Sequence, residues 1–261
     1  MTHVLRPLVL MATVAGLALA SPALAQTTRA SQDQALIQPM IQEDEVLKAA
    51  IASESRTEAD RARDIHRRPY ESLTFWGLRP GLTVVEIQPG ANGWWTQILQ
   101  PYAAATGGTY VPVNRIQDGL GVADDSADFI LVARAFHNWH QAGRTDDFMA
   151  MFFAGLKPGG ILAIEQHRAP EGSDVNQSAA TGYVPESYVI TAALKAGFIL
   201  DASSDLNANP ADDRSHPFGV WTLPPVRRSE GNGRVLTGAE RAAYDAIGES
   251  DRMTLRFRKP E

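Results

Sequence analysis

The stretch Val84-Val85-Glu86-Ile87-Gln88-Pro89-Gly90-Ala91-Asn92-Gly93-Trp94-Trp95-Thr96 constrains the fold of this chain more than any other. An apolar run able to form a buried strand ends in an acid, passes through a glycine-containing turn and enters residues able to open a helix. A strand that runs through a tight turn into a helix is the first half of a parallel strand–helix–strand unit. It also brings backbone close to a nucleotide-like ligand at the carboxyl end of the strand.

The same alternation continues along the chain. Helical spacing over Glu43–Arg68 places Val46, Leu47, Ala50 and Ile51 on one side, and Pro69 marks the end of that helix. Tyr70–Leu78 reads as a second short helix, and Trp94–Ala104 suits a helix that Gly107-Gly108 breaks. Strands are expected at Thr109–Val113, Asp128–Ala135, Ile161–Glu165, Phe198–Ala202 and Met253–Arg258, with helices at Asp146–Leu156, Glu186–Ala196 and Gly238–Ile247. Asn207–Pro225 reads as a long loop. The predicted fold is therefore α/β and Rossmann-like, a mostly parallel sheet with helices on both faces. Glu86–Gly93, Arg134–Trp139 and Glu165–Arg168 would line one crevice at the carboxyl ends of its strands.

The first 25 residues stand apart from this pattern. Arg6, the apolar run Leu8–Ala20 and the ending Ala23-Leu24-Ala25 match a secretory signal cleaved before Gln26. The run is short for a membrane anchor, which wants roughly 20 apolar residues. Cleavage would leave 261 less 25, or 236, residues. We expect a polar leader and helical extension over 26–68, a main domain over 69–261, and a periplasmic or secreted location. Without Arg6 the mature chain has 23 basic and 30 acidic side chains. That balance argues against nonspecific nucleic-acid binding. The chain has no cysteine, so an apolar core must supply its stability. No later stretch is apolar enough to span a membrane, and nothing in the sequence fixes an oligomeric state.

On these residues the chain resembles class I S-adenosylmethionine-dependent methyltransferases, and more narrowly a family of exported methyltransferases of undefined substrate. The resemblance spans about Arg61–Pro260. It is carried by Val85–Gly90, by Asp128–Val132 with His137-Asn138-Trp139, by Leu156-Lys157-Pro158-Gly159-Gly160 and by Glu165–Pro170. Ser203–Pro210, Val220–Pro225 and Ile247–Leu255 carry the narrower likeness. It implies that Glu86, Gln88, Gly90, Asn92 and Asn114 lie at the cofactor S-adenosylmethionine, and that His137 and Glu165 lie near a small-molecule acceptor. Three departures stand out. Asn92 occupies a position where the family usually has glycine, Gln88 one where the broader superfamily prefers glycine, and Asn114 stands where an acid usually holds the ribose. Only 13 residues separate Asn114 from Asp128. One crossover alone takes roughly 10–12 residues, so the usual third strand is expected to be missing.

Each candidate has a plainer role beside the functional one. Glu86 could simply satisfy the turn, and Trp94 and Trp95 could stack on adenine or bury against the sheet. His137 could act as a general base, because an ordinary histidine titrates near working pH. Glu165 and His167 share a strand face and with His137 could form a two-histidine, one-carboxylate metal set. Asp64, Arg67, Arg68, Asp251 and Arg252 read as ion-pair residues. Arg134, beside an apolar strand, needs an acid or an anionic ligand. A non-catalytic small-ligand-binding protein on the same fold is the alternative to an enzyme.

Overall fold

The apolar runs assemble into one sheet in a computed structural model that describes residues 43–91 and 93–261. Its strands are β1 (Thr83–Ile87), β2 (Thr109–Val113), β3 (Ala127–Ala133), β4 (Leu156–Ala169), β5 (Val184–Pro185), β6 (Ile199–Ser204) and a terminal strand, Arg252–Arg258. Between them lie β7 (Pro217–Val220) and the ribbon of β8 (Glu230–Gly231) and β9 (Arg234–Val235), which makes the terminal strand β10. The order across the sheet is β2-β1-β3-β4-β10-β6, and β5 pairs with the end of β4. β2, β1, β3 and β4 run parallel, whereas β10 is antiparallel to both neighbours.

Between Asn114 and Ser126 the chain forms only a short turn of 3-10 helix, Ile116–Asp118. β2 is therefore the sheet edge, and the third strand is missing as the segment length requires. The sheet is Rossmann-like and mostly parallel, without the third strand that the resemblance would supply at this edge.

Strand alternation sends side chains to two cores. Val85, Ile87, Ile130, Val132, Leu162, Ile164, Leu255 and Phe257 pack with Phe136, Trp139, Phe148 and Phe152 on one face. Val84, Phe129, Leu131 and Ala163 pack on the other face with Leu47, Leu73, Trp76, Trp94, Trp95 and Ile98. Trp95 meets Trp76 and Trp94 edge-on, with ring centres 5.6 and 4.7 Å apart. Such aromatic pairs contribute about 0.5–1.5 kcal/mol each beyond their burial.

Residues 44–261 form one compact unit. The segment expected as an extension adds Leu47 and Ala50 to its core. The single helix foreseen over Glu43–Arg68 is instead three: Glu45–Ala52, Glu58–Arg61 and Asp64–Arg67. Ser53 turns extended after the first, and Thr57 caps the second by accepting from the Asp60 N–H. Arg68 then adopts a left-handed conformation before Pro69 opens the helix Pro69–Trp76. The predicted signal and leader lie outside the described residues. No helix among the described residues is long and apolar enough to cross a membrane.

Candidate functional site

The carboxyl ends of β1, β3 and β4 converge on a cleft of about 260 Å³. Its lining includes Gln88, Pro89 and Gly90 after β1, Arg134, His137 and Asn138 after β3, and His167 on β4. Trp221, Pro224, Pro225 and Val226 add apolar lining, and Glu249 and Ser250 also line it. A second, shallower hollow of about 310 Å³ lies at the end of β2, lined by Val113, Asn114, Asp118 and Gly119 among others. The two are neighbours in the sheet, because the Gln88 N–H donates to the Val113 carbonyl at 2.8 Å.

The turn after β1 is shaped by its own backbone. Gln88 and Gly90 both lie in the left-handed region, at φ 50° and 77°. Gln88 tolerates this because its side-chain carbonyl accepts the indole N–H of Trp139 at 3.0 Å. A side chain at Gly90 would meet no atom within 4 Å, so the backbone there is open to a ligand. Asn92 lies outside the described residues.

Glu86, 2 % exposed, points into the second core and accepts hydrogen bonds from Thr96 Oγ1 (2.8 Å) and Tyr110 OH (2.7 Å). Burial raises its pKa above the ordinary carboxylate value, and these bonds oppose the rise. It ties β1 to β2 and to the helix Thr96–Thr106, which is the structural reading of this acid. Trp94 and Trp95 are both buried, and Trp94 lies against the guanidiniums of Arg56 and Arg67. Both indoles are packed into the second core, and the Trp94 N–H donates to the Asp60 carbonyl at 3.0 Å, which is the burial reading of this pair.

Glu165 stands beneath the cleft and is fully buried. Arg252 Nη1 lies 2.7 Å from its carboxylate. Arg252 also pairs with Glu249, which in addition takes Arg63 and Arg67 at 2.7 and 2.9 Å. The ion pairing expected of Arg67 and Arg252 is thus present, and the sequence reading missed Glu249 as their hub. These arginines hold the Glu249 carboxyl down at about 2 against the cost of burial. Arg168 turns outward to Asp251 and Asp205.

His137 is 5 % exposed, with its ring 6.2 Å from that of His167 and 5.8 Å from Trp221. Burial pushes its pKa down to about 4; a hydrogen bond with Gln166 resists this, and the charge of Arg134 adds to it. The expectation of a base poised near working pH is thereby corrected: the imidazole is neutral and weakly basic at neutral pH. His167 is held well below its ordinary value, chiefly by burial, and its Nδ1 contacts Ser250 Oγ at 2.5 Å.

With Glu165 on Arg252 and His167 on Ser250, these residues and His137 do not turn ligand atoms toward one point. Among the described residues, the metal-capable group of three is Asp212, Asp213 and His216. Asp212 already accepts from Tyr183 OH, from the backbone N–H groups of Arg214 and Asp251, and stands 2.7 Å from His216 Nε2. Asp212 is thus engaged within the fold, whereas Asp213 is exposed and His216 Nδ1 has no hydrogen-bond partner among the described residues.

Trp221, Pro224, Pro225 and Ser250 were not foreseen as site residues. Their only signal was membership of the segments that carry the narrower resemblance.

No protein-family model matches the chain, and no curated protein matches it in sequence. Many solved structures share its architecture. A Galdieria sulphuraria protein assigned provisionally as a sarcosine dimethylglycine methyltransferase is 14% identical, covering 77% of this chain and 88% of its own, with a TM-score of 0.50. Geranyl diphosphate C-methyltransferase from Streptomyces coelicolor A3(2) is 13% identical over 81% and 87%, with a TM-score of 0.45. An S-adenosylmethionine-dependent methyltransferase from Mesorhizobium loti is 16% identical over 72% and 96%, with a TM-score of 0.41. At its identity the Galdieria likeness concerns architecture alone, and it agrees with the strand order above: a Rossmann-like α/β fold of the kind class I methyltransferases have.

Proposed function

We propose that this chain is an S-adenosylmethionine-dependent methyltransferase acting on a small-molecule acceptor, exported to the periplasm by its first 25 residues. The observation that carries the reading is the cleft itself. It sits where ligands bind in such sheets, beyond the carboxyl ends of β1, β3 and β4, against a glycine turn open at Gly90. Two polar atoms beside it, Arg134 Nε and His137 Nδ1, are buried without a partner. Unpaired buried polar atoms are costly, and a bound ligand would satisfy them.

These residues fit the cofactor. Gly90 lets backbone approach it, Glu86 stiffens the turn through Thr96 and Tyr110, and exposed Asn114 offers a neutral contact at the end of β2. S-adenosylmethionine, when bound, supplies an electrophilic methyl group. The protein's part is then to hold an acceptor atom in line and exclude water, which needs no strong base. Neutral His137 accepts a hydrogen bond from the acceptor and orients it. Glu165 acts through Arg252 as a positioning residue.

Titration calorimetry of the mature protein with S-adenosylmethionine and S-adenosylhomocysteine tests this. Saturable binding that weakens in Gly90→Val is expected, and no heat at millimolar ligand sinks the reading. One observation favours the alternative, a non-catalytic binding protein: Gln88 fills a glycine position and is pinned by Trp139, so the cleft falls just below the roughly 300–1,000 Å³ usual for small-molecule sites. Export is tested separately by the N-terminal residue of protein recovered from the periplasm, expected to be Gln26.

A further inference from the structure

We propose that Arg134 is the docking point for a carboxylate on the methyl acceptor, so that the substrate is a small organic acid with an apolar body. The proposal rests on the methyltransferase reading for the word acceptor, but the anion site itself does not.

Arg134 follows β3 in a left-handed conformation, φ 61°. Its backbone N–H is fixed by the Glu165 carbonyl at 2.7 Å, and the residue lines the cleft. Beside Arg134, three further guanidiniums, Arg63, Arg67 and Arg252, gather on Glu249, which also lines the cleft. Two carboxylates, Glu165 and Glu249, face them, and both are taken up by the other three arginines. The Arg134 guanidinium has no hydrogen bond or ion pair among the described residues, and its Nε is buried. An arginine does not shed its proton to escape such a position. A guanidinium left over in a positive pocket calls for an anion, and its planar fork matches a carboxylate.

The rest of the cleft selects among anions. The ammonium of an amino acid would need an acid of its own beside Arg134, and Glu165 and Glu249 are already ion-paired with the other three arginines. Trp221, Pro224, Pro225 and Val226 instead offer apolar surface. His137 and His167 are neutral, so they add no competing charge. The site therefore fits an acid group on an apolar or aromatic frame better than it fits a zwitterion, which includes the amino-acid end of the methyl donor.

Benzoate is the probe, with benzamide as its neutral counterpart and binding heat by titration calorimetry as the readout. Benzoate should bind saturably to the wild-type protein, more tightly than benzamide, and more weakly as salt is raised. Arg134→Gln should weaken benzoate roughly tenfold or more, the usual effect of losing a charge-assisted hydrogen-bonded pair. The thermal midpoint of that variant should hold or rise, because an unpaired like charge has been removed. A lowered midpoint with unchanged benzoate affinity would make Arg134 structural and overturn the proposal. So would equal binding of benzoate and benzamide to the wild type, a comparison that needs no variant. If Arg134→Gln weakens S-adenosylmethionine and spares benzoate, the arginine serves the donor and the proposal fails. If benzoate depends on Arg134 while S-adenosylmethionine never binds, the anion site stands and the methyltransferase reading falls.

Discussion

Trp139 gives its indole N–H to the side-chain carbonyl of Gln88 across 3.0 Å, joining the helix after β3 to the turn after β1. Gln88 is thereby held at φ 50°, a conformation that glycine takes freely. The bond adds a side-chain tie to the ladder that already pairs Ile87 with Val132 at the strand ends.

Replacing Gln88 separates its two roles. Gln88→Ala keeps the left-handed strain and strands the buried indole N–H, so it should cost roughly 1–3 kcal/mol. Gln88→Gly strands the same donor but relieves the strain, and should recover about 1 kcal/mol of that loss. Urea denaturation of both variants measures the difference. Equal stability of the two would show that the turn is not strained at this residue.

The network around Glu249 should be the most sensitive polar element of the fold. Glu249 is the shared partner of Arg252, three residues on, and of Arg63 and Arg67, 186 and 182 residues earlier in the chain. Glu249→Ala leaves three guanidiniums with only Glu165, and breaking a buried pair in this way costs roughly 3–5 kcal/mol. Chemical denaturation tests it; a loss under about 1 kcal/mol would mean that the cluster is hydrated and behaves as surface ion pairs do.

Glu86 was assigned from the sequence to the cofactor, and its bonds to Thr96 and Tyr110 give a different expectation for its variants. Glu86→Ala should lower stability by roughly 1–3 kcal/mol, because two partly buried hydroxyls lose their acceptor. Glu86→Gln retains one acceptor oxygen and escapes the desolvation of a carboxylate, so it should cost less. A Glu86→Ala variant as stable as wild type would return this acid to a purely ligand-facing role.

These contrasts explain what the sequence could disclose. Thr109–Val113 and Gly238–Ile247 match their predicted limits because local chemistry sets them. Gly107-Gly108 precedes the first, and a capping box of Thr237 and Glu240 opens the second. The missing strand was legible as pure chain length. The break at Ser53–Thr57 was not, because charged residues carried the helical spacing onward while a threonine cap quietly restarted it. Arg134 announced through its residue type alone that it needs an acid or an anionic ligand. Glu249 could not, since its partner Arg67 lies 182 residues away in sequence. Likewise the low basicity of His137 comes from Trp221 and His167 closing over it, a packing that local sequence does not encode.

That packing gives the fold a defined acid sensitivity. His137, ordinarily 6.5, is pushed down to about 4 by burial, and His167 falls well below 6.5 for the same principal reason. Both rings are neutral in the fold, whereas in the unfolded chain they take up protons below about pH 6.5. Stability from this source is therefore full above that pH and is lost as pH falls toward the folded values. For His137 alone the loss at pH 5 is roughly 2 kcal/mol, from about 1.4 kcal/mol per pH unit. Glu249 works in a separate window: its carboxyl is held at about 2, so it loses stability only below the ordinary 4.5. Denaturant midpoints between pH 7 and pH 5 thus report the histidines. His137→Gln should flatten that slope by about one proton, whatever it does to stability at pH 7. An unchanged slope would show that the imidazole titrates normally and that the cleft admits water to it.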